Sequence, residues 1–395
     1  MKIIAVLEDD IRTGGGFNQS LNAILQMRRI CDGRFDFEVF ATHEANVDLL
    51  RDQGIRTQAV SISFLDKLLS HLSLYAWWNR LQSKMKLLSP IEKKLRRGGC
   101  DLVYFVKQSE LSLALQTLNF ITTLFDLCHR DAPEFPEVRQ YGQFQERESY
   151  FNTHLTGALV VIADSPALAD NASARYGVDR ERLLPMPFAP APFLDTKAAI
   201  GKDEVIRKYD LPEGYLFYPA QFWAHKNHIR IVEALVILRL RGNKPHVVFA
   251  GGDKGNRRHV EEAIRKNALQ AQVHVLGFVP ADEMRGLYLG CGAVVMPTYF
   301  GPTNLPPLEA WTMGRPLIYT SYFRDQTGDA AICVDPDDAE DLATAMETCT
   351  RPDVSERLIR LGVLQLSKVE QQRAAAEQQL LRHLERFALR RKCWE

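Results

Sequence analysis

The chain has 395 residues, 49 Lys+Arg against 49 Asp+Glu, 46% apolar and 25% charged residues. Zero formal charge argues against a nucleic-acid binder, whose affinity comes mostly from basic charge on phosphates, and the composition excludes a disordered chain. No window approaches the ~20 apolar residues needed to cross a bilayer. Lys2–Leu7 reads as a strand, not a signal peptide, because MKIIAVLEDD breaks into acid without a small-residue cleavage site. A loop Glu8–Gly16 and a helix Phe17–Ile30 follow, then strands at Phe35–Ala41, Leu102–Val106 and Phe120–Leu124, with a helix-like Leu111–Leu118 between the last two. Leu159–Ala163 is another strand, and DSPALADNASARYGV after it reads as a helix. Short apolar strands alternating with helices imply a parallel sheet covered on both faces.

Met186–Leu194 (MPFAPAPFL) holds three prolines and reads as a linker. The alternation then restarts with strand Leu216–Pro219, helix Asn227–Arg239, strand His246–Ala250, helix Arg258–Asn267 and strand Val273–Leu276, and further strands lie at Ala293–Met296, Leu317–Tyr319 and Ile332–Val334. Two tandem arrays predict an α/β protein of two Rossmann-like domains facing a cleft. The expected division is 1–188, 189–365, and a C-terminal helix 366–395 returning to the first domain. The seven cysteines are scattered and never at CxxC spacing, which fits buried thiols in a reducing, cytoplasmic setting rather than a zinc site or disulfide framework.

The insertion Phe64–Arg97 carries Leu65, Leu68, Trp77, Trp78, Leu81 and Met85 among eight Lys/Arg, against Asp66 and Glu92. A basic amphipathic stretch of this kind can lie in a membrane interface. It can equally be a core-facing helix pair with a solvated basic side.

The chemistry concentrates in two segments. In FYPAQFWAHKNH (217–228), Lys226 stands between a strand end and a helix start, where an anionic ligand sits in such sheets. An ammonium ~4 Å from a phosphate oxygen is worth roughly 4 kcal/mol at an effective dielectric of 20. In TYFGPTNLPPLEA (298–310), Gly301, Pro302 and the Leu305-Pro306-Pro307 run are expected to delay the helix until about Leu308, leaving backbone N–H groups around Thr303–Leu305 for phosphate or sugar oxygens. Glu309, expected in the first helical turn, can accept hydrogen bonds from ribose hydroxyls.

These segments, with VVFAGGD, VHVLGFVPADEMRGLYLGC and FGPTNLPPLEAWTMGRPLI, resemble the donor-binding domain of the family 4, group 1 type, retaining glycosyltransferases of GT-B fold. The first half agrees through its Gly-rich loop, LFDLCHRDAPEFPEV and VIADSPALADNASARYGV. The resemblance implies transfer of a hexosyl group from a nucleotide-diphosphate sugar, GDP-mannose or a UDP-hexose, to a glycan acceptor, lipid-linked, in bacterial surface polysaccharide synthesis. It implies Lys226 on the diphosphate, Glu309 on the ribose, and Thr303, Asn304 and Leu305 on phosphate and sugar. Gly277, Phe278 and Val279 would meet the base. Gln221, Asn227 and Gly251 would line the donor site, with Gly14, Gly15 and Gly16 meeting its phosphates from the first domain. Asp126 and His129 would face the reaction from the acceptor side. No metal or other cofactor is expected, and there is no DxD pair in a matching loop.

Two departures stand out. Gly301 occupies the position of the family's first paired glutamate, and Gln221 that of an arginine five before the lysine. They keep two alternatives in view: a sugar-nucleotide epimerase, and a non-catalytic nucleotide-sugar-binding protein of the same fold. A dinucleotide dehydrogenase is excluded because GGGFNQS lacks GxGxxG spacing and Phe35–Ala41 ends without an acidic ribose ligand.

Overall fold

The computed structural model describes residues 1–10, 15–195, 200–301 and 304–394. Among them run thirteen strands: β1 (Lys2–Leu7), β2 (Asp36–Ala41), β3 (Thr57–Ala59), β4 (Leu102–Phe105), β5 (Asn119–Leu124), β6 (Val160–Ala163), β7 (Leu183–Pro185), β8 (Leu216–Tyr218), β9 (Val247–Ala250), β10 (Val273–Gly277), β11 (Ala293–Met296), β12 (Leu317–Thr320) and β13 (Ile332–Val334). They form two parallel sheets, ordered β3-β2-β1-β4-β5-β6-β7 and β10-β9-β8-β11-β12-β13. The α/β class with two Rossmann-like halves is therefore the one found.

Two compact units divide the chain. One comprises Met1–Leu127, Gly142–Phe188 and Gln371–Glu395; the other comprises Cys128–Tyr141 and Ala189–Glu370. In the first, β1 pairs with β2 and β4 in register (Ile3 opposite Phe37 and Leu102). Alternation along β1 sends Ile3, Ala5 and Leu7 to one face and Ile4 and Val6 to the other. The first face is covered by Ile24 and Met27 of the helix Gly15–Cys31 and by Leu380, Leu384 and Phe387 of the helix Pro352–Arg391. Arg34 and Arg391 add ion pairs there, to Glu385 (2.7 Å) and Asp101 (2.6 Å). The second face packs on Ile91, Leu95, Phe151 and Leu155.

One expected helix is absent. Residues 111–118 form only a 3-10 turn, Glu110–Ala114, capped by Ser109. Buried Glu92 draws the N–H groups of Gln116 (2.9 Å), Thr117 (2.7 Å) and Leu118 (3.2 Å) to its carboxylate. A continuing helix would need those donors for its own carbonyls.

Candidate functional site

Strand order reverses between β8 and β11, and ligands in such sheets bind beyond the carboxyl ends of the strands at that point. The segments after β8 and β11 are the two singled out above. After β8 the backbone passes so close to Gly251 that a Cβ there would lie 2.1 Å from the Ala220 carbonyl oxygen. Gly251 thus admits the loop rather than offering a side chain to a ligand. The chain makes one 3-10 turn, Ala224–Lys226, and reverses at Asn227, whose φ is 56°. Asparagine tolerates this left-handed conformation better than most residues. Asn227 does not itself begin the helix His228–Leu240; it precedes it, and its buried carboxamide donates to the Pro297 (3.1 Å) and Pro336 (2.8 Å) carbonyls, tying three loops together. Tyr218 Oη donates to the Lys226 carbonyl (2.6 Å).

Lys226 Nζ donates to Asn304 Oδ1 at 3.1 Å. The Asn304 amide nitrogen is committed elsewhere, to the Gly301 carbonyl (2.7 Å) and Tyr319 Oη (2.8 Å), so its oxygen faces the lysine. Tyr319 donates to Gln326 Oε1 (2.8 Å), and Gln326 Nε2 donates to the Asn304 carbonyl (3.0 Å). This network accounts for Gly301. Its φ is +104°, and a Cβ would lie 2.7 Å from Asn304 Oδ1. The space beside Lys226 that a side chain at 301 would claim holds a neutral carboxamide instead.

The helix begins at Leu305, not Leu308. Pro306 and Pro307 fall in its first turn, where N–H groups have no intrahelical acceptor, so their lack of a donor costs nothing. Glu309 is consequently in the second turn. It is buried and its Oε2 accepts from Tyr288 Oη. Burial pushes its carboxyl up to about 7, against a smaller downward effect of the Tyr288 bond.

Asn304 and Lys226 are thus brought together, while Leu305 is a buried residue at the helix start. Gln221 Oε1 accepts from Trp223 Nε1 (3.1 Å). Phe278 is exposed and Val279 buried, after Gly277 at φ +72°. Thr303, with Pro302 and Gly14, lies outside the described residues.

In the first unit, Gly15 and Gly16 open the helix after β1, and Asp126 faces Arg147 (3.4 Å). His129 is fully buried in the short helix Cys128–Asp131, which belongs to the second unit. Among the described residues, no three His, Cys, Asp or Glu side chains are grouped to hold a metal ion.

Sequence reasoning missed a buried pair. Glu137 Oε1 accepts from both the backbone N–H (3.0 Å) and Nδ1 of His225, whose ring stacks on Phe300 (centroids 3.9 Å apart). Burial pushes the Glu137 carboxyl up, but the His225 hydrogen bonds outweigh it and hold it below its usual value. His225 thereby positions the turn that carries Lys226. Its partner lies 88 residues away, so the only local signal was an acid in a proline-rich loop.

Residues 213–351 match the family model for glycosyl transferases group 1. The O-antigen chain mannosyltransferase B of Escherichia coli is 24% identical over 56% of this chain and 59% of its own length. The O-antigen chain mannosyltransferase RfbU of Salmonella typhimurium (strain LT2) is 22% identical over 50% of this chain and 53% of its own. The matches thus span little more than half the length of these relatives. Anabaena Alr3699/HepE, solved in complex with UDP and glucose, superposes with a TM-score of 0.70 over 98% of this chain and 99% of its own at 16% identity. Two parallel sheets of these orders, superposing over nearly the whole chain, give this protein the GT-B fold.

Proposed function

We propose that the chain is a glycosyltransferase of the family 4, retaining type that moves a hexosyl group from a nucleotide-diphosphate sugar to a glycan acceptor, lipid-linked, in bacterial surface polysaccharide synthesis. The observation that carries this is the turn bearing Lys226, held by Asn304 beside the switch point of the sheet whose residues match the group 1 model. The named activities of the O-antigen mannosyltransferases and the UDP and glucose bound by HepE support a nucleotide-sugar donor, GDP-mannose or a UDP-hexose.

On this reading the bond between the anomeric carbon and the diphosphate oxygen breaks while the acceptor oxygen bonds to that carbon on the same face. The acceptor's proton passes to a donor phosphate oxygen. Lys226 and the backbone N–H at the Leu305 helix start stabilise the charge growing on the diphosphate, in the manner of preorganised electrostatic catalysis. The Asn304 N–H, which donates to Gln326 Oε1 (3.4 Å), joins them only once released. No metal is needed for that charge. Glu309 reaches the ribose only if its carboxylate is released from Tyr288. Asp126 serves the acceptor side, whereas His129, fully buried in the second unit, meets the acceptor only if its short helix opens. The protein works at the inner face of the membrane, where a lipid-linked acceptor is found.

Thermal-shift measurement against a panel of nucleotide sugars tests the donor. The cognate donor raises the midpoint by mass action, and transfer to a glycan acceptor then follows by product mass. No stabilisation by any nucleotide sugar overturns the reading. Conversion of the donor in the absence of acceptor shows an epimerase instead, and binding without transfer to any acceptor shows a sensor.

A further inference from the structure

The insertion 64–97 folds as three helices, Phe64–Leu72, Ala76–Met85 and Pro90–Arg97, all in the first unit. The first two carry the same pattern. Phe64 and Leu68, one turn apart, are exposed on the first; Trp77, Leu81 and Met85, again at turn spacing, are exposed on the second. Phe64 is 81% exposed, Trp77 59% and Met85 60%. Lys67 flanks the first stripe, and Arg80 and Lys84 flank the second, all exposed. Within Ala76–Met85 only Gln82 is buried. A helix that buries so little of its surface has its apolar stripe left over for something outside the chain.

The charge says what. Both acids of the insertion are consumed internally. Asp66 caps its own helix through Ser63 and accepts from the Ile91 N–H (2.7 Å), and Glu92 holds the 116–118 amides. Both are fully buried, so between 64 and 97 the exposed side chains carry positive charge and no carboxylate. The exposed Glu110 of the adjoining turn faces His71 and Lys67, which leaves Arg80 and Lys84 as the cations beside the second stripe. A protein partner of ordinary surface offers mixed charges. An anionic bilayer offers what this face complements: a negative plane of phosphates for the cations, with apolar depth just beneath it for the stripe. The helix Phe64–Leu72 also packs against the Glu110–Ala114 turn, which follows β4 at the carboxyl end of the first sheet.

We propose that Phe64, Leu68, Trp77, Leu81 and Met85 insert into the surface of an anionic phospholipid membrane while Lys67, Arg80 and Lys84 contact its phosphates. This deepens the lipid-linked-acceptor part of the reading above by assigning the surface that meets the lipid. Among the described residues, no helix is long and apolar enough to span a bilayer, so the contact is interfacial.

Co-sedimentation of the full chain with vesicles tests this. At low salt it should pellet with vesicles rich in phosphatidylglycerol and remain in solution with phosphatidylcholine alone. Trp77→Ser with Leu81→Ser, and separately Lys67→Glu with Lys84→Glu, should each lower the bound fraction at least fivefold while leaving the unfolding midpoint unchanged, since all four side chains are exposed. Failure of the unaltered chain to pellet with anionic vesicles overturns the proposal, as does equal binding by either double variant. Light scattering that shows a dimer broken by Trp77→Ser with Leu81→Ser would overturn it in favour of a second copy. Stabilisation by a nucleotide sugar, measured alongside without vesicles, separates the two ideas: if it persists while vesicle binding fails, only the membrane assignment falls.

Discussion

Asn304 aims the Lys226 ammonium before any ligand arrives, and does so with a neutral oxygen that a phosphate outcompetes. Lys226→Ala should therefore cut transfer by roughly a hundredfold or more, the scale of removing one preorganised charge contact, without moving the unfolding midpoint; wild-type turnover would take the lysine out of the chemistry. Gly301→Ala tests the network around it. A side chain at φ +104° costs ~1–3 kcal/mol and pushes on Asn304, so both urea stability and donor affinity should fall; a neutral result would mean the turn relaxes freely. Glu309 makes a prediction about pH. Its folded carboxyl lies near 7 against 4.5 unfolded, so the native state holds the proton more tightly, and that stabilisation is complete below pH 4.5 and lost as pH rises through 7. Glu309→Gln, which keeps an acceptor for Tyr288, should be more stable than the parent at pH 8, by up to about 3 kcal/mol. The difference should vanish near pH 4.5. Equal differences at both pH values would show that the carboxyl is not shifted.

Elements were legible where one stretch of chain decides them. Runs such as VVFA and AVVM are buried on both sides, as parallel strands require, and Lys226 and the 298–305 loop could be placed because each directly follows such a strand. What failed depended on remote partners. The 111–118 helix was lost to a carboxylate 24 residues earlier in the chain, and Glu309's environment is set by Tyr288, 21 residues away. Prolines 306 and 307 misled for a different reason: they break a helix interior but suit its first turn. His154, in the helix Gln143–Gly157, is a further residue whose role was invisible locally. It lies fully enclosed, bonded through Nε2 to Thr122 (2.9 Å) and through Nδ1 to Ser112, and burial lowers it from 6.5 to about 3. A depressed imidazole stabilises fully above pH 6.5 and progressively less as pH falls towards 3, since the unfolded chain takes the proton first. Acidifying to pH 5 should cost about 2 kcal/mol through this residue. Urea titrations at pH 7 and 5 should show a smaller loss in His154→Gln; identical losses would remove His154 from the acid response.

At the scale of the whole molecule the two units share one helix, Pro352–Arg391, whose residues from Gln371 onward belong to the first. Leu384 is fully buried there against the β1 face. Leu384→Ala should cost 2–5 kcal/mol, the usual range for such a cavity, seen in urea unfolding; a loss below about 1 kcal/mol would show that this helix is an accessory and not a wall of the core. The tail was recognisable as helical from its composition, but its packing partners, Ile24 and Met27, are more than 300 residues distant in sequence.

That distance bears on how the protein is made. A ribosome delivers β1 well before the helix Pro352–Arg391, so the β1 face, covered early by the helix Gly15–Cys31, waits for its second cover while all of 189–370 is synthesised. The trailing unit, assembled from a nearly continuous stretch, lacks only the strap 128–141, which has already emerged. Birth order and completion order are therefore reversed: of the two halves, the one begun earlier is completed later, and through that interval the part of its apolar face awaiting Leu380, Leu384 and Phe387 stays open to misassembly.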